Sequence, residues 1–291
     1  QNLMAMGLSV VTLAGRQVAS MEVDGTATKR DICARIPGLV GRSLRAARLL
    51  HGSDELAGQA TVDTLGIQDG ACLQLLFDSR WLAQVVTASE DGTAKVWSAA
   101  SGECLLTLEH GGWLHSAAFS ADGAWVVTAS SRGTARLWSA ESGECVRTLE
   151  GHGGEVVDAA FSPDGARVVT ASRDTTAMLW SSQSGECLRT LHGHEGYLTS
   201  AAFGPDNVQV VTASYDCSTR VWNSLSGQCL RTLLHDSVVL SAAFSPDGAQ
   251  LVTAFHDSTV KLWNAQFGNC VLTLEGHRNG VESAAFSPDG A

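Results

Sequence analysis

The chain has 291 residues, of which 44% are hydrophobic, 17% are charged and 30 are glycine; this excludes disordered, fibrous and collagen-like classes and allows one large domain or two. The formal net charge of −11 falls on residues 81–291, with eleven Lys/Arg against twenty-two Asp/Glu, while residues 1–80 carry eight of each. An acidic surface repels phosphate backbones and anionic headgroups, so nucleic acid and membrane are disfavoured as main partners, and no apolar run has the length of a membrane span.

The N-terminal stretch Leu3–Ala14 has an apolar centre of the kind found in signal peptides, but no Lys or Arg precedes it, and a first β-strand fits it better. A strand over Leu8–Leu13, a turn at Ala14-Gly15 and a strand over Val18–Val23 predict a hairpin. Thr28–Ile36 reads as a helix, with Thr28 as its cap and Ile32 and Ile36 on one face. Strands at Ala47–Leu50 and Cys72–Phe77 complete an α+β roll.

This segment resembles ubiquitin and ubiquitin-like domains over residues 7–78. Arg48-Leu49-Leu50-His51-Gly52-Ser53-Asp54-Glu55-Leu56 is similar to that fold's third strand and turn, and Thr61–Gly70 to its late loop. The resemblance implies a ubiquitin-like domain over residues 1–80. It puts Leu13, Leu50 and Leu76 where the family displays an apolar recognition patch, so ubiquitin-receptor proteins become candidate partners; the alternative is that these are ordinary strand leucines. Conjugation is not implied. The family needs a free Gly-Gly end, whereas Leu75-Leu76-Phe77-Asp78-Ser79-Arg80 continues directly into Trp81-Leu82, and Lys29 is the domain's only lysine.

From about residue 84 the text repeats. Trp97, Trp138, Trp180, Trp222 and Trp263 are 41, 42, 42 and 41 residues apart. Ser-Gly-Glu-Cys occurs at 101–104, 142–145 and 184–187, and Phe-Ser-Pro-Asp-Gly at 161–165, 244–248 and 286–290. One unit reads as four short strands, at Val156–Phe161, Arg167–Ser172, Ala177–Trp180 and Cys187–Leu191, joined by tight turns. Such a unit cannot bury both faces alone; stacked radially, each covers its neighbour. Cys104, Cys145, Cys187, Cys229 and Cys270 recur at one place and read as small buried hydrophobes. With no CxxC pair, zinc has no support, and this many reduced thiols suggest an intracellular protein, cytoplasmic with the nucleus as alternative.

These repeats resemble the WD-repeat family, which implies a mainly β fold, a β-propeller over residues 81–291. In that family a His before the first strand, a Ser or Thr on the second, an Asp in the next turn and a Trp on the third form a hydrogen-bonded tetrad. His152, Ser172, Asp174 and Trp180 match it, as do His194, Ser214, Asp216 and Trp222. Arg132 replaces the Asp in the unit of His110, Ser130 and Trp138, and Phe255 replaces the Ser in the unit of His235, Asp257 and Trp263. The naming Trp-Asp dipeptide is absent. Residues 84–109 hold Ser89, Asp91 and Trp97 without the His and first strand, and His277–Gly290 hold the His and first strand alone. Two geometries are open: a five-unit ring closed by pairing these ends, with His277 completing the tetrad of Ser89, Asp91 and Trp97, or a piece of a larger ring.

No GxSxG, P-loop, HExxH or dinucleotide fingerprint occurs, and the repeated His and Asp serve the scaffold, so no enzyme activity, cofactor or metal is expected. Function should lie in what differs between units. Where the first strand begins stand Trp113, Glu155, Tyr197, Val238 and Gly280; just before the tight turn stand Glu90, Ser131, Arg173, Tyr215 and His256. The family's partners commonly meet this rim, which points to Trp113, Tyr197, Tyr215, Arg173, Glu155 and His256 as contacts for a protein or peptide. The alternative is that Trp113 and Tyr197 pack between units. The expected role is a scaffold or adaptor. The other readings are a substrate-recognition or shuttle component of the ubiquitin–proteasome pathway, and a regulatory part of a larger protein whose enzymatic domain lies elsewhere.

Overall fold

The computed structural model describes the backbone of five N-terminal strands between residues 6 and 77, and residues 84–288 with their side chains. The chain divides into two compact units, Gln1–Val85 with Ser98–Glu103, and Val86–Trp97 with Cys104–Ala291.

In the N-terminal unit the strands are β1 (Met6–Thr12), β2 (Gln17–Val23), β3 (Ala47–His51), β4 (Asp54–Glu55) and β5 (Cys72–Phe77). They form one sheet in the order β2-β1-β5-β3-β4, with β1 antiparallel to β2 and parallel to β5, and β3 antiparallel to β5. The hairpin and the two later strands lie within a residue or two of their predicted bounds. The predicted helix at Thr28–Ile36, the loop at Thr61–Gly70, Leu13, and the side chains of Leu50 and Leu76 lie outside the described residues.

The repeats form a three-stranded half blade and four complete blades, each an antiparallel meander. The half blade is β6 (Gln84–Ala88), β7 (Thr93–Ser98) and β8 (Cys104–Glu109). The first blade is β9 (Leu114–Phe119), β10 (Trp125–Ser130), β11 (Thr134–Ser139) and β12 (Cys145–Glu150); the second is β13 (Val156–Phe161), β14 (Arg167–Ser172), β15 (Ala177–Ser181) and β16 (Cys187–Leu191). The third is β17 (Leu198–Phe203), β18 (Gln209–Ser214), β19 (Ser218–Asn223) and β20 (Cys229–Leu234); the fourth is β21 (Val239–Phe244), β22 (Gln250–Phe255), β23 (Val260–Asn264) and β24 (Cys270–Leu274).

The apolar core lies between blades. Val169, Ala171, Leu179 and Leu191 of the second blade pack with Leu198, Ala201, Val210 and Trp222 of the third, and equivalent clusters join the other neighbours. Successive residues of a second strand therefore serve opposite neighbours, Val168 the preceding blade and Val169 the next. That explains why these strands read as unbroken apolar runs and not as an alternation. Polar contacts add to this. Arg147, Arg189 and Arg231 each donate to a carbonyl in the following blade's last hairpin, at Gln183, Leu225 and Gln266.

Leu108, Leu149, Leu191 and Leu233 on the fourth strands are at most 5% exposed, whereas Leu274 on β24, which no blade covers, is 46% exposed. At the other end, nothing among the described residues lies against Gly102 in the half blade's hairpin, while its counterpart Gly143 lies against Leu106. Among the described residues 281–288 form no strand and do not pair with β6; Val281, Ala284 and Phe286 instead pack on Val252, Ala254 and Val260 of the fourth blade.

The recurrent cysteines are not buried hydrophobes. Cys104, Cys145, Cys187 and Cys270 are exposed and Cys229 is half-buried. Each begins an outermost strand, where only Cys229 packs partly against a core cluster, and its thiol donates to the carbonyl two residues on, as from Cys145 to Arg147 at 3.6 Å.

Candidate functional site: the variable rim

In the second and third blades the innermost strand starts from a loop that the tetrad braces. In the second blade His152 Nδ1–H donates to Asp174 Oδ2 at 2.8 Å and Nε2 accepts from the Thr170 hydroxyl at 2.7 Å, while Trp180 Nε1–H donates to the same Thr170 oxygen at 2.9 Å. His194, Asp216, Thr212 and Trp222 repeat this arrangement. A neutral imidazole is required, since it must donate on one side and accept on the other. Burial supplies it, depressing both histidines below their ordinary value against the pull of their aspartates. Burial works to raise Asp216, but the Ser218 hydroxyl, His194 and the Glu195 N–H outweigh it and hold the carboxyl down at about 2.

The linking hydroxyl is a threonine, which corrects the expectation of Ser172 and Ser214. Their oxygens accept instead from the backbone N–H of Asp174 and Asp216, both at 3.1 Å, and shape the tight turn. Every unit keeps the threonine: Trp97, Trp138 and Trp263 donate to Thr87, Thr128 and Thr253. Phe255 therefore does not remove the linking hydroxyl from the fourth blade. It packs edge-on to His235, with ring centroids 4.9 Å apart, and His235 bonds Thr219 of the third blade at 2.9 Å and leaves Nδ1 buried without a partner. In the first blade, which has Arg132 for Asp, His110 spans Thr128 and Thr134. His277 is exposed and is not brought to Thr87 or Trp97.

The bracing sets the rim directly. Asp174 Oδ2 also accepts the Gly153 N–H at 2.9 Å and Asp216 Oδ2 the Glu195 N–H at 3.0 Å, fixing the loops that carry Glu155 and Tyr197. Gly196 lies so close that a Cβ would fall 2.6 Å from Asp216 N, so the loop and the turn can touch only through glycine there. The two variable sets consequently meet pairwise. Ser131, Arg173, Tyr215 and His256 donate their backbone N–H to the carbonyls of Trp113, Glu155, Tyr197 and Val238 at 2.9–3.1 Å.

The side chains point outward. Trp113 is 59% exposed and Tyr197 and Tyr215 are each 55% exposed, which sets aside packing between blades for Trp113 and Tyr197. His256 is also exposed. Arg173 Nη1 lies 3.0 Å from Glu155 Oε2, and His115 of the first blade lies 3.2 Å from the same oxygen, tying neighbouring blades together at the rim. The sequence does not single out His115, because it sits two residues inside the first-strand set and nothing in the repeat marks it.

Among the described residues no group of three His, Cys, Asp or Glu side chains could hold a metal, and no helix is long and apolar enough to cross a membrane.

Residues 66–98 match the WD domain, G-beta repeat family, a match that begins before the first blade strand. No curated protein matches the chain. Residues 113–291, more than half of the chain, match the family described as IFT122 first beta-propeller, and the chain belongs to that family of WD-repeat β-propellers.

Proposed function

We propose that the protein is a non-catalytic scaffold or adaptor that holds a protein or peptide on the rim formed by Trp113, Glu155, Arg173, Tyr197, Tyr215 and His256. The observation that carries this is the exposure of three large aromatics at positions that differ between blades, on a scaffold that otherwise repeats. Aromatic and arginine side chains dominate interface energetics, with losses of about 2 kcal/mol or more at hot spots. Alanine at Trp113, Arg173, Tyr197 and Tyr215 together should remove most partners from a pull-down with the full chain, and an unchanged set of partners would end the proposal. The acidic surface argues against nucleic acid and anionic membrane as competitors for the site.

A second reading, a substrate-recognition or shuttle role in the ubiquitin–proteasome pathway, draws support from the N-terminal sheet. Its strand order, with β1 parallel to β5 at the centre, suits a ubiquitin-like domain over residues 1–80 preceding a propeller over 81–291. Leu13, Leu50 and Leu76 would then face a ubiquitin receptor. Titrating the full chain with proteasomal ubiquitin receptors tests this, and no detectable binding sinks it. The two half units are also proposed to join as a fifth blade, because Leu272 and Leu274 on the fourth blade are left exposed.

A further inference from the structure

Glu155 stands between Trp113 and Tyr197, because these residues lead into β13, β9 and β17, and the innermost strands pack side by side in the order β9, β13, β17. Its carboxylate is about one-third exposed, and its two side-chain contacts, from Arg173 and His115, both fall on Oε2. The other oxygen, Oε1, has no partner among the described residues. Arg173 shows that a guanidinium fits against this carboxylate, and the pair is exposed enough for solvent to weaken it. On either side stand exposed aromatic rings, whose faces attract cations. The surrounding loops add the exposed Glu90, Glu195 and Asp236 against the exposed Arg132 and Arg278, so carboxylates outnumber guanidinium groups on the approach to the rim.

Resting on the rim reading, we propose that this surface receives an extended peptide segment bearing arginine, whose guanidinium is taken by Glu155 Oε1 between Trp113 and Tyr197. Arginine suits the site better than lysine because its planar guanidinium can donate to Oε1 while it stacks on the flanking rings.

The test is fluorescence anisotropy with the full chain and labelled decapeptides alternating serine with Arg, Lys, Gln or Glu. The Arg peptide should bind best and weaken as salt is raised. Glu155→Gln and Trp113→Ala should each weaken it at least about tenfold. Glu141→Gln removes the same charge from the far hairpin between β11 and β12 and should leave binding unchanged. Equal binding of the Lys or Gln peptide, an unaffected Glu155→Gln variant, or an equal loss in Glu141→Gln would each overturn the proposal. If the four-alanine variant loses its pull-down partners while the Arg peptide shows no preference, the rim reading stands and the arginine assignment falls.

Discussion

Thr170 and Ser172 lie two residues apart on β14, both fully buried and both carrying a hydroxyl, yet only Thr170 reaches the indole. Removing the Thr170 hydroxyl leaves the Trp180 N–H and His152 Nε2 without their shared partner. Thr170→Val should therefore cost about 2–4 kcal/mol in denaturant unfolding, against about 1 kcal/mol for Ser172→Ala, which frees one turn N–H. Comparable losses would refute the assignment of the hydroxyl. Residues of one strand two apart share a face, so the sequence alone could not say which hydroxyl the tryptophan meets; that depends on the register that sets Thr170 opposite Met178. A signal was nonetheless present, since threonine recurs in all five units at 87, 128, 170, 212 and 253, while Phe255 breaks the serine series. The rim was more legible, because exposed positions that vary within a repeat stand out without knowledge of the fold. The hydrogen bond between His115 and Glu155 needed coordinates, as it crosses between blades.

Strand boundaries in the blades were readable almost to the residue, since Asp-Gly or Pro-Asp turns and a Gly-containing last hairpin punctuate the blades and β-branched runs fill the gaps. What each strand buries was less evident, and the fourth strands show why. Leu191 is buried because the third blade lies over it, and Leu274 has the same sequence context without the neighbour. Leu191→Ala should cost about 2–5 kcal/mol, as large-to-small core changes do. If the two half units join in solution as proposed, Leu274→Ala costs a similar amount. A loss below about 1 kcal/mol, the ordinary result at an uncovered surface, would show that they do not join. Thermal and denaturant melts of the two variants side by side decide it.

Over the whole molecule, four histidines are held neutral inside the blades. Burial, helped by Arg136 and Arg132, takes His110 down to about 4, and burial with Lys261 takes His235 down to about 4; burial also lowers His152 and His194. A group whose folded value lies below its unfolded value of 6.5 binds protons more readily in the unfolded chain. Its contribution is thus fully present above about pH 6.5 and is lost as pH falls towards 4. Asp216 acts in the same direction at lower pH, between its ordinary 3.8 and about 2. The melting temperature should be level from pH 8 to 7, drop between 6.5 and 4, and drop again below. A melting temperature flat across pH 6.5 to 4 would mean that these imidazoles are not buried neutral. His235 departs furthest from the repeating network, with one ring nitrogen unsatisfied, so His235→Gln should shallow the first drop at little cost near neutrality.

Each apolar cluster straddles a junction, so the module of packing is out of phase with the repeat of the text by half a blade. A gain or loss of one whole repeat anywhere in the array preserves every junction, because the new neighbour presents the surface its predecessor had. A cut of half a repeat strands one side of a core. A whole repeat of about forty-two residues is therefore the smallest change of length that leaves no packed cluster with one side missing, and each such step carries one rim position with it.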